Sequence, residues 1–343
     1  MTCRCHIIPP KVLERLARDK ALSSEQRKDC ADTVQFEEHW RKLRSLLGRS
    51  SVIAVESVAA KVTLAAKPAI TVYDCATGTA LPGRPIAKPA DASDKSAVRA
   101  YTTTTGVADF YREVFGRNSV DARGMTLQSS IHYGRKYNNA FWNGGQMVYG
   151  DGDGEIFLDF TRSNDVIGHE LTHGVTQFSA QLEYSGEAGG LNESISDVFG
   201  SMFRQWSKKQ TVAKADWLIG SEIMGPDAKS QGYTCLRDMA DPGAKHCLAP
   251  QPSNYKQYKA GMDPHDSSGF PNLAFYKAAM AIGGKSWEKA GHIWYQALTG
   301  YPPSPRLKMK AFAERTRQIA KSLYPAEASV YKAVDQGWSA VGL

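Results

Sequence analysis

The sequence of 343 residues is poor in cysteine and contains no internal repeat and no low-complexity stretch. Its six cysteines are irregularly spaced, which excludes the dense disulfide framework of a small secreted domain. Cys235 and Cys247 could still form a disulfide in an oxidising compartment. With 42% hydrophobic residues, the chain can bury a substantial core, and its length predicts two sizeable domains plus a short extra segment.

The N-terminal region lacks the long apolar run of a secretory signal. Such a signal needs an apolar core of roughly 7–15 residues, whereas residues 1–30 contain only the brief run Ile7-Ile8-Pro9-Pro10. A membrane-spanning helix would need a still longer apolar stretch. We therefore expect neither a Sec-type signal nor a membrane span.

The formal net charge of +7 is concentrated near the N-terminus. Residues 1–50 contain eleven Lys or Arg against seven Asp or Glu, a difference of +4. No basic patch with interleaved aromatic residues occurs, so nucleic-acid binding is not expected.

The segment His169-Glu170-Leu171-Thr172-His173 has the spacing of a catalytic metal site. Residues four apart on a helix lie on one face, so both imidazoles can reach a single ion. Glu193, twenty residues after His173, supplies a carboxylate. Zinc held by two histidines and one carboxylate keeps a fourth position open for water. Glu170 is placed to accept a proton from that water.

A second helix is predicted after a turn at Gly189-Gly190. Glu193 and Asp197 are four apart on it, so one can bind the metal while the other accepts a proton from a ligand histidine. The helix is indicated by apolar residues at helical spacing, namely Leu191, Ile195, Val198, Phe199 and Met202.

These motifs resemble the thermolysin family of zinc endopeptidases. Residues 169–200 read HELTHGVTQFSAQLEYSGEAGGLNESISDVFG, residues 137–144 read YNNAFWNG, and residues 147–154 read MVYGDGDG. The similarity extends from about Ala69 to the C-terminus. A metzincin would carry a third histidine six residues after His173, where Ser179 stands, and the G-x-M-E-N segment of zinc aminopeptidases is missing.

The resemblance implies that His169, His173 and Glu193 bind one zinc ion and that Glu170 is the catalytic base. It therefore predicts a neutral endopeptidase in which zinc-bound water attacks the peptide bond. Around these residues, Asp197 and Asn192 are expected to hold the ligand histidines.

Further residues match positions of the family that contact the substrate. The resemblance implies that Tyr184 and His265 donate hydrogen bonds to the developing oxyanion, and that Arg237 binds the carbonyl after the scissile bond. The acidic partner usual before His265 is replaced by Ala260, and we expect Asp263 to substitute for it.

The remaining substrate contacts concern the peptide backbone and one pocket. Asn139 and Ala140 resemble positions that hold the substrate in an extended conformation. Four large apolar residues align with the pocket for the residue after the cut, which predicts a preference for Leu, Phe, Ile or Val there. These residues are Phe157, Val166, Ile219 and Leu236.

The double calcium site of familiar family members is not expected here. Arg204 stands where an acidic ligand would be, and Leu218 and Ser221 replace further acids. A calcium cage needs six to eight oxygen ligands and would not accept a cation inside it. We therefore expect Arg204 to replace the ions by hydrogen bonding to both Asp165 and Asp216.

The N-terminal segment is similar to that of the protealysin-like branch, whose precursors carry Ile-Ile-Pro-Pro and lack a long prodomain. Residues 1–50 are predicted to form short amphipathic helices of a propeptide that covers the cleft until the enzyme itself cuts it between Gly48 and Ser57. A thiolate of Cys3 or Cys5 could bind the zinc of the precursor.

The predicted architecture is α+β, a two-domain zincin fold with a sheet-rich N-terminal half and an all-helical C-terminal half. The boundaries are 1–50 for the propeptide, 51–164 for the sheet-rich half, with one helix from Val107 to Phe115, and 165–343 for the zinc-binding helix and helical half.

The expected partners are peptide substrates, and the chain is expected to be a monomer. Because the family is mostly extracellular, we favour secretion without a Sec signal over a cytoplasmic location. A zinc protein without turnover and a peptide-binding module are the alternatives, although an intact Glu170 argues against the former.

Overall fold

The computed structural model describes residues 6–47 and 67–343, and the side chains of residues 6–37 and 67–343. The chain first forms two helices, α1 (Pro10–Arg18) and α2 (Ser24–Leu47). Pro10 at the first turn suits a helix start, because that position needs no N–H donor. The predicted propeptide helices are therefore present, but the second is one helix of 24 residues rather than several short ones.

The next part of the chain contains a five-stranded mixed sheet in the order β2-β1-β3-β5-β4. β1 pairs parallel with β3 and β3 with β5, while β2 and β4 are antiparallel to their neighbours. β4 lies at one edge, and its residues are all buried. The strands are β1 (Ile70–Asp74), β2 (Arg84–Pro85), β3 (Leu127–Ile131), β4 (Ala140–Trp142) and β5 (Met147–Tyr149).

The helix predicted at Val107 to Phe115 begins twelve residues earlier, as α3 (Lys95–Phe115). Asp94 caps it by accepting a hydrogen bond from the Ser96 N–H at 2.8 Å. The threonines at 102–105 have low helix propensity, so the sequence pattern does not predict this part of the helix. Burial of its inner face against the core stabilises it nevertheless.

Two long helices at the centre of the molecule carry the metal-binding motif, α4 (Asn164–Gln177) and α5 (Gly186–Ser207). The predicted turn at Gly189-Gly190 is wrong, because both glycines lie inside α5. A Cβ on Gly190 would lie 2.3 Å from the Ser267 hydroxyl, and one on Gly189 would lie 2.8 Å from Pro264. The glycines allow this close approach rather than a turn.

The remaining chain is mainly helical, which confirms the predicted fold class. It departs from an all-helical half by one two-stranded ribbon, β6 (Leu218–Ile219) with β7 (Arg237–Asp238). Among the described residues, no helix combines the length and apolar character needed to cross a membrane. The other helices are α6 (Pro226–Ser230), α7 (Pro264–Ser267), α8 (Gly269–Ile282), α9 (Lys289–Thr299), α10 (Met309–Leu323) and α11 (Ala328–Ala340).

Candidate active site

The structure brings His169 and His173 on α4 together with Glu193 on α5, and all three side chains are buried. The two Nε2 atoms are 3.0 Å apart. The Glu193 carboxylate oxygens lie 3.4 Å from His169 Nε2 and 3.5 Å from His173 Nε2. Ligand atoms about 2.0–2.1 Å from a tetrahedral zinc ion are separated by roughly 3.3 Å. The three residues therefore have the spacing of ligands to one zinc ion.

The other ring nitrogen of each histidine is occupied. His169 Nδ1 is 2.8 Å from Asp197 Oδ1, and His173 Nδ1 is 2.9 Å from Asn192 Oδ1. When Nδ1 donates to these acceptors, the neutral rings direct two Nε2 lone pairs at each other. A shared cation stabilises that arrangement, so the donor set fits a metal ion.

Asp197 connects the metal ligands to the rest of the cleft. Its carboxylate accepts hydrogen bonds from Arg237 at 2.7 and 2.8 Å and from Asn272 at 2.8 Å. Burial alone would raise the pKa of Asp197, but the charge of Arg237 and the hydrogen bond from His169 hold it at about 2. Burial would likewise lower the pKa of His169, but its bonds to Asp197 and Glu193 raise the pKa of the metal-free ring to about 9. A cation bound at Nε2 would keep that ring neutral. Asn272 was not predicted as a site residue, because nothing in the surrounding sequence marks it as a partner of α5.

Glu170 lies on α4 beside the predicted ligands and is completely buried. Its Oε2 accepts a hydrogen bond from the Trp142 backbone N–H at 2.9 Å, which fixes the carboxylate against the edge strand β4. Its Oε1 has no hydrogen-bond partner among the described residues. Burial raises the pKa of Glu170 to about 8 in the metal-free site. A cation held by the neighbouring histidines would lower that pKa and favour the carboxylate form.

Tyr184 and His265 lie on the same side of the metal-binding residues. The Tyr184 hydroxyl is 3.2 Å from His265 Nε2 and donates to Glu193 at 2.5 Å. His265 Nδ1 is 2.8 Å from Asp263 Oδ1, so the structure places Asp263 where the missing acidic partner was expected. Burial opposes protonation of His265, but Glu193 and Asp263 raise its pKa above the ordinary value.

Residues 6–8 of the N-terminal segment lie in this cleft, with a β-bridge at His6 and bends at Ile7 and Ile8. The Ile7 N–H donates to the Ala140 carbonyl at 3.2 Å, and Arg237 donates to the Ile7 carbonyl at 3.0 Å. The Ile8 N–H donates to Asn139 Oδ1 at 2.9 Å, and Asn139 Nδ2 returns a bond to the Ile8 carbonyl at 3.1 Å. The backbone of the segment is therefore bound at the sheet edge, through one bridge to β4 and through the side chains of Asn139 and Arg237.

The carbonyl of His6 points to the catalytic side of the cleft, since it lies 2.7 Å from His265 Nε2. His6 also pairs antiparallel with Phe141 of β4. The side chain of Ile7 is fully buried and belongs to the apolar core that includes the four predicted pocket residues. Those residues, all completely buried, are Phe157, Val166, Ile219 and Leu236.

Further contacts hold the N-terminal helices on the rest of the protein. Arg15 donates to the Leu248 carbonyl at 2.6 Å, and Gln26 donates to Asp227 at 2.5 Å. Asn139 Nδ2 also donates to Glu37 of α2 at 2.5 Å. Cys3, Cys5 and the predicted cut between Gly48 and Ser57 lie outside the described residues.

Arg204 lies at the position predicted to replace calcium. It donates to Asp216 at 2.9 Å and to the Leu218 carbonyl at 3.1 Å. Its predicted hydrogen bond to Asp165 is not formed, because the separation is 3.8 Å. The Asp165 oxygens instead accept hydrogen bonds from the Ser163 hydroxyl and from the N–H groups of Val166 and Gly220. Arg204 and buried Asp165 thus interact by charge alone.

Comparison with known proteins agrees with this geometry. Residues 42–177 match the model for the catalytic domain of the thermolysin metallopeptidases, and residues 180–343 match the model for their alpha-helical domain. The chain is 42% identical over 284 residues to an extracellular metalloprotease of Pectobacterium carotovorum subsp. carotovorum, covering 80% of each. It is 38% identical over 261 residues to thermolysin of Alicyclobacillus acidocaldarius subsp. acidocaldarius, covering 73% of this chain and 46% of that protein.

A solved structure resembles the whole chain, including the N-terminal segment. It is the precursor of protealysin, a metalloproteinase from Serratia proteamaculans, with a TM-score of 0.83 and 38% identity. The match covers 98% of this chain and 99% of that one. The chain therefore belongs to the thermolysin family of metallopeptidases and is protealysin-like within it.

Proposed function

We propose that the chain is a zinc-dependent neutral endopeptidase, made as a self-processed precursor, that cuts peptide bonds before large hydrophobic residues. The course of residues 6–8 carries this proposal. Ala140 and Arg237 hold the backbone of Ile7, while His265 binds the carbonyl of His6. A substrate in the same direction would present its scissile carbonyl in place of that of His6 and its next side chain in place of that of Ile7.

The residues of the cleft account for the chemistry of peptide hydrolysis. Zinc, when bound by His169, His173 and Glu193, polarises the carbonyl and makes water more acidic. Glu170 accepts the proton of the attacking water and passes it to the leaving amine. Tyr184 and His265 donate hydrogen bonds to the oxygen on which negative charge develops.

Selectivity would come from the apolar pocket predicted for the residue after the cut, and we propose that the buried side chain of Ile7 fills that pocket in the precursor. Burial of a substrate side chain there removes apolar area from water and stabilises the complex by about 1.5–3 kcal/mol for a Leu- or Phe-sized group. A charged side chain would lose its hydration without gaining a partner, because the pocket residues Phe157, Val166, Ile219 and Leu236 offer no charge.

The N-terminal segment would act as an intramolecular inhibitor before processing. It uses the groups that bind a substrate backbone, so substrate and segment cannot bind together. The helices α1 and α2 add contacts outside the cleft, which lowers the entropic cost of holding residues 6–8 in place. We place the end of this propeptide near residue 50.

Arg204 would make a calcium ion unnecessary at the end of α5. Its guanidinium supplies positive charge beside Asp165, Asp216 and Glu222, at 3.8, 2.9 and 3.8 Å. A divalent cation at the same place would be repelled by this charge. Secretion of the enzyme is supported by the relative named an extracellular metalloprotease. That the enzyme is a monomer stays a prediction from the sequence.

The substitution Glu170→Gln tests the proposal. It keeps the three ligands, so the protein should retain about one zinc ion in this site by elemental analysis. It removes the proton acceptor, so hydrolysis of a peptide with an internal leucine should fall by at least about 100-fold. Mass spectrometry should then show an intact N-terminal segment, whereas the unmodified chain loses it.

Glu113→Gln is the matched control, because it makes the same chemical change on the exposed face of α3. It should leave zinc content, processing and hydrolysis unchanged. Full hydrolysis by the Glu170→Gln protein would refute the assigned role of Glu170.

A further inference from the structure

A second group of metal-ligating side chains lies apart from the cleft. Atoms of Cys235, His246 and Cys247 that can bind a metal all lie within 4.8 Å of one another. Both cysteines are buried, and they form a small apolar cluster with Ala244, against which Leu218 packs. His246 is partly exposed.

The separation of the two sulfur atoms suits a shared ion. Cys235 Sγ and Cys247 Sγ are 3.7 Å apart. Two thiolates bound to one tetrahedral zinc at about 2.3 Å are separated by roughly 3.8 Å. A disulfide would require a separation of about 2.05 Å. The two thiols are not joined in this structure, and their spacing suits two ligands of one ion.

Backbone hydrogen bonds set this spacing. The Thr234 N–H donates to the His246 carbonyl at 3.0 Å, and the Leu248 N–H donates to the Cys235 carbonyl at 2.9 Å. Cys235 and Cys247 consequently face each other across a short parallel bridge. These bonds fix the backbone at both cysteines, so binding would require only side-chain adjustment.

His246 is oriented by an outer carboxylate. Its Nε2 lies 3.2 Å from Asp238 Oδ2, and Asp238 is itself held by N–H groups of Ala240 and Asp241 at 2.7 and 3.1 Å. Histidines that bind metals commonly use the second ring nitrogen in this way. We therefore assign the ion to Nδ1 of His246, the ring nitrogen that does not face Asp238.

We propose that Cys235, His246 and Cys247 bind a second metal ion, for which zinc is the natural choice because thiolate and imidazole ligands favour it. Solvent would complete the coordination on the exposed side of His246. The ion would brace the segment that carries Arg237, two residues after Cys235. That bracing role rests on the proposed function, in which Arg237 binds the substrate. The proposal of a second metal site is independent of that function.

Cobalt spectroscopy on the full chain tests the site. The background carries Glu170→Gln to stop self-cleavage, together with Cys3→Ser and Cys5→Ser. The catalytic ligands are nitrogen and oxygen only, so a sulfur-to-cobalt charge-transfer band in the near ultraviolet can come only from another site. We expect that band, and two zinc equivalents per chain by elemental analysis after dialysis under reducing conditions.

Cys235→Ser should remove the band and one zinc equivalent, and His246→Ala should weaken binding of the second ion by about 100-fold or more. Cys75→Ser, which changes a thiol elsewhere, should alter neither. His246 is partly exposed, so its variant keeps the test valid if loss of Cys235 prevents folding. A single zinc equivalent without a sulfur band, or a Cys235–Cys247 disulfide that persists when zinc is present, would overturn the proposal.

The bracing role is measured in the otherwise unmodified chain after processing. His246→Ala should raise KM for a leucine-containing peptide severalfold while changing kcat less, because Arg237 binds the substrate carbonyl. An unchanged KM in a protein that has lost its second ion would overturn the bracing role. Failure of the proposed protease function would instead appear as no hydrolysis by the unmodified chain.

Discussion

Truncation of Ile7 should open the cleft of the precursor. Ile7 is fully buried, and both of its backbone hydrogen bonds to Ala140 and Arg237 survive replacement by alanine. Ile7→Ala therefore isolates the contribution of the side chain. Removal of a buried isoleucine side chain down to alanine costs about 2–5 kcal/mol.

This loss of free energy destabilises only the closed state, in which the N-terminal segment lies in the cleft. In the open state the segment has left, and the side chain of Ile7 makes no contact with the cleft. Each 1.4 kcal/mol is a factor of about ten, so the open fraction should rise by roughly 30-fold to several thousand-fold. The apparent dissociation constant of a ligand is its intrinsic value divided by the open fraction. Ligand binding should therefore tighten by the same factor until the open state predominates.

Fluorescence anisotropy of a labelled leucine-containing peptide measures this effect. The zinc-loaded Glu170→Gln chain serves as parent, so that neither the peptide nor the segment is cut. Ile7→Val should give a smaller effect, up to about tenfold. Glu14→Ala, on the exposed face of α1, should give none. If Ile7→Ala binds the peptide no more tightly than the parent, the side chain of Ile7 does not hold the cleft closed.

Three further predictions concern pH, calcium and selectivity. Hydrogen bonds to Asp151 and Asp94 raise the pKa of His132 from 6.5 to about 9, so its stabilisation is complete below pH 6.5 and lost as the pH rises through 9. Between pH 6.5 and 9.5 the unfolding free energy of the unmodified protein should fall, relative to that of His132→Asn, by at most about 3 kcal/mol. Chemical denaturation of both proteins measures this difference. If the two unfolding free energies change in parallel with pH, the prediction is wrong. Added calcium should change the thermal midpoint of the unmodified protein by no more than about 2 °C. The substitution Arg204→Gln should lower that midpoint by several degrees. Strong stabilisation of the unmodified protein by calcium would refute the proposal that Arg204 takes the place of calcium ions. In a peptide library, cleavage before Leu, Phe, Ile or Val should exceed cleavage before Asp or Lys, and equal cleavage before all of them would refute the proposed pocket.

Local sequence patterns predicted the components of the site because short spacings determine which side chains share a helix face. The four-residue separation of His169 and His173 is enough to place both imidazoles on one side of α4. The same reasoning holds for Glu193 and Asp197 on α5. It failed at Gly189-Gly190, where tertiary packing required glycine inside a helix.

The extent of α3 was also underestimated, since its threonines disfavour a helix until the inner face is buried. Resemblance to a family identified Tyr184, His265 and Arg237 as site residues, but no pattern in the sequence linked Asn272 to Asp197. That contact joins residues 75 positions apart. It depends on how α8 packs against α5, which no local periodicity reports.

The sequence by itself was enough to predict the candidate metal ligands, the candidate proton acceptor and the helices that carry them, because these predictions depend on residues close together in the chain. Only the tertiary structure decided that Ile7 enters the cleft in the direction of a substrate and that two cysteines lie 3.7 Å apart. Ile7 is more than 100 residues from its partners in the cleft. Cys235 and Cys247 lie on two short segments that pair across a parallel bridge. Their separation is set by the packing of the whole core, in which each contact depends on many others.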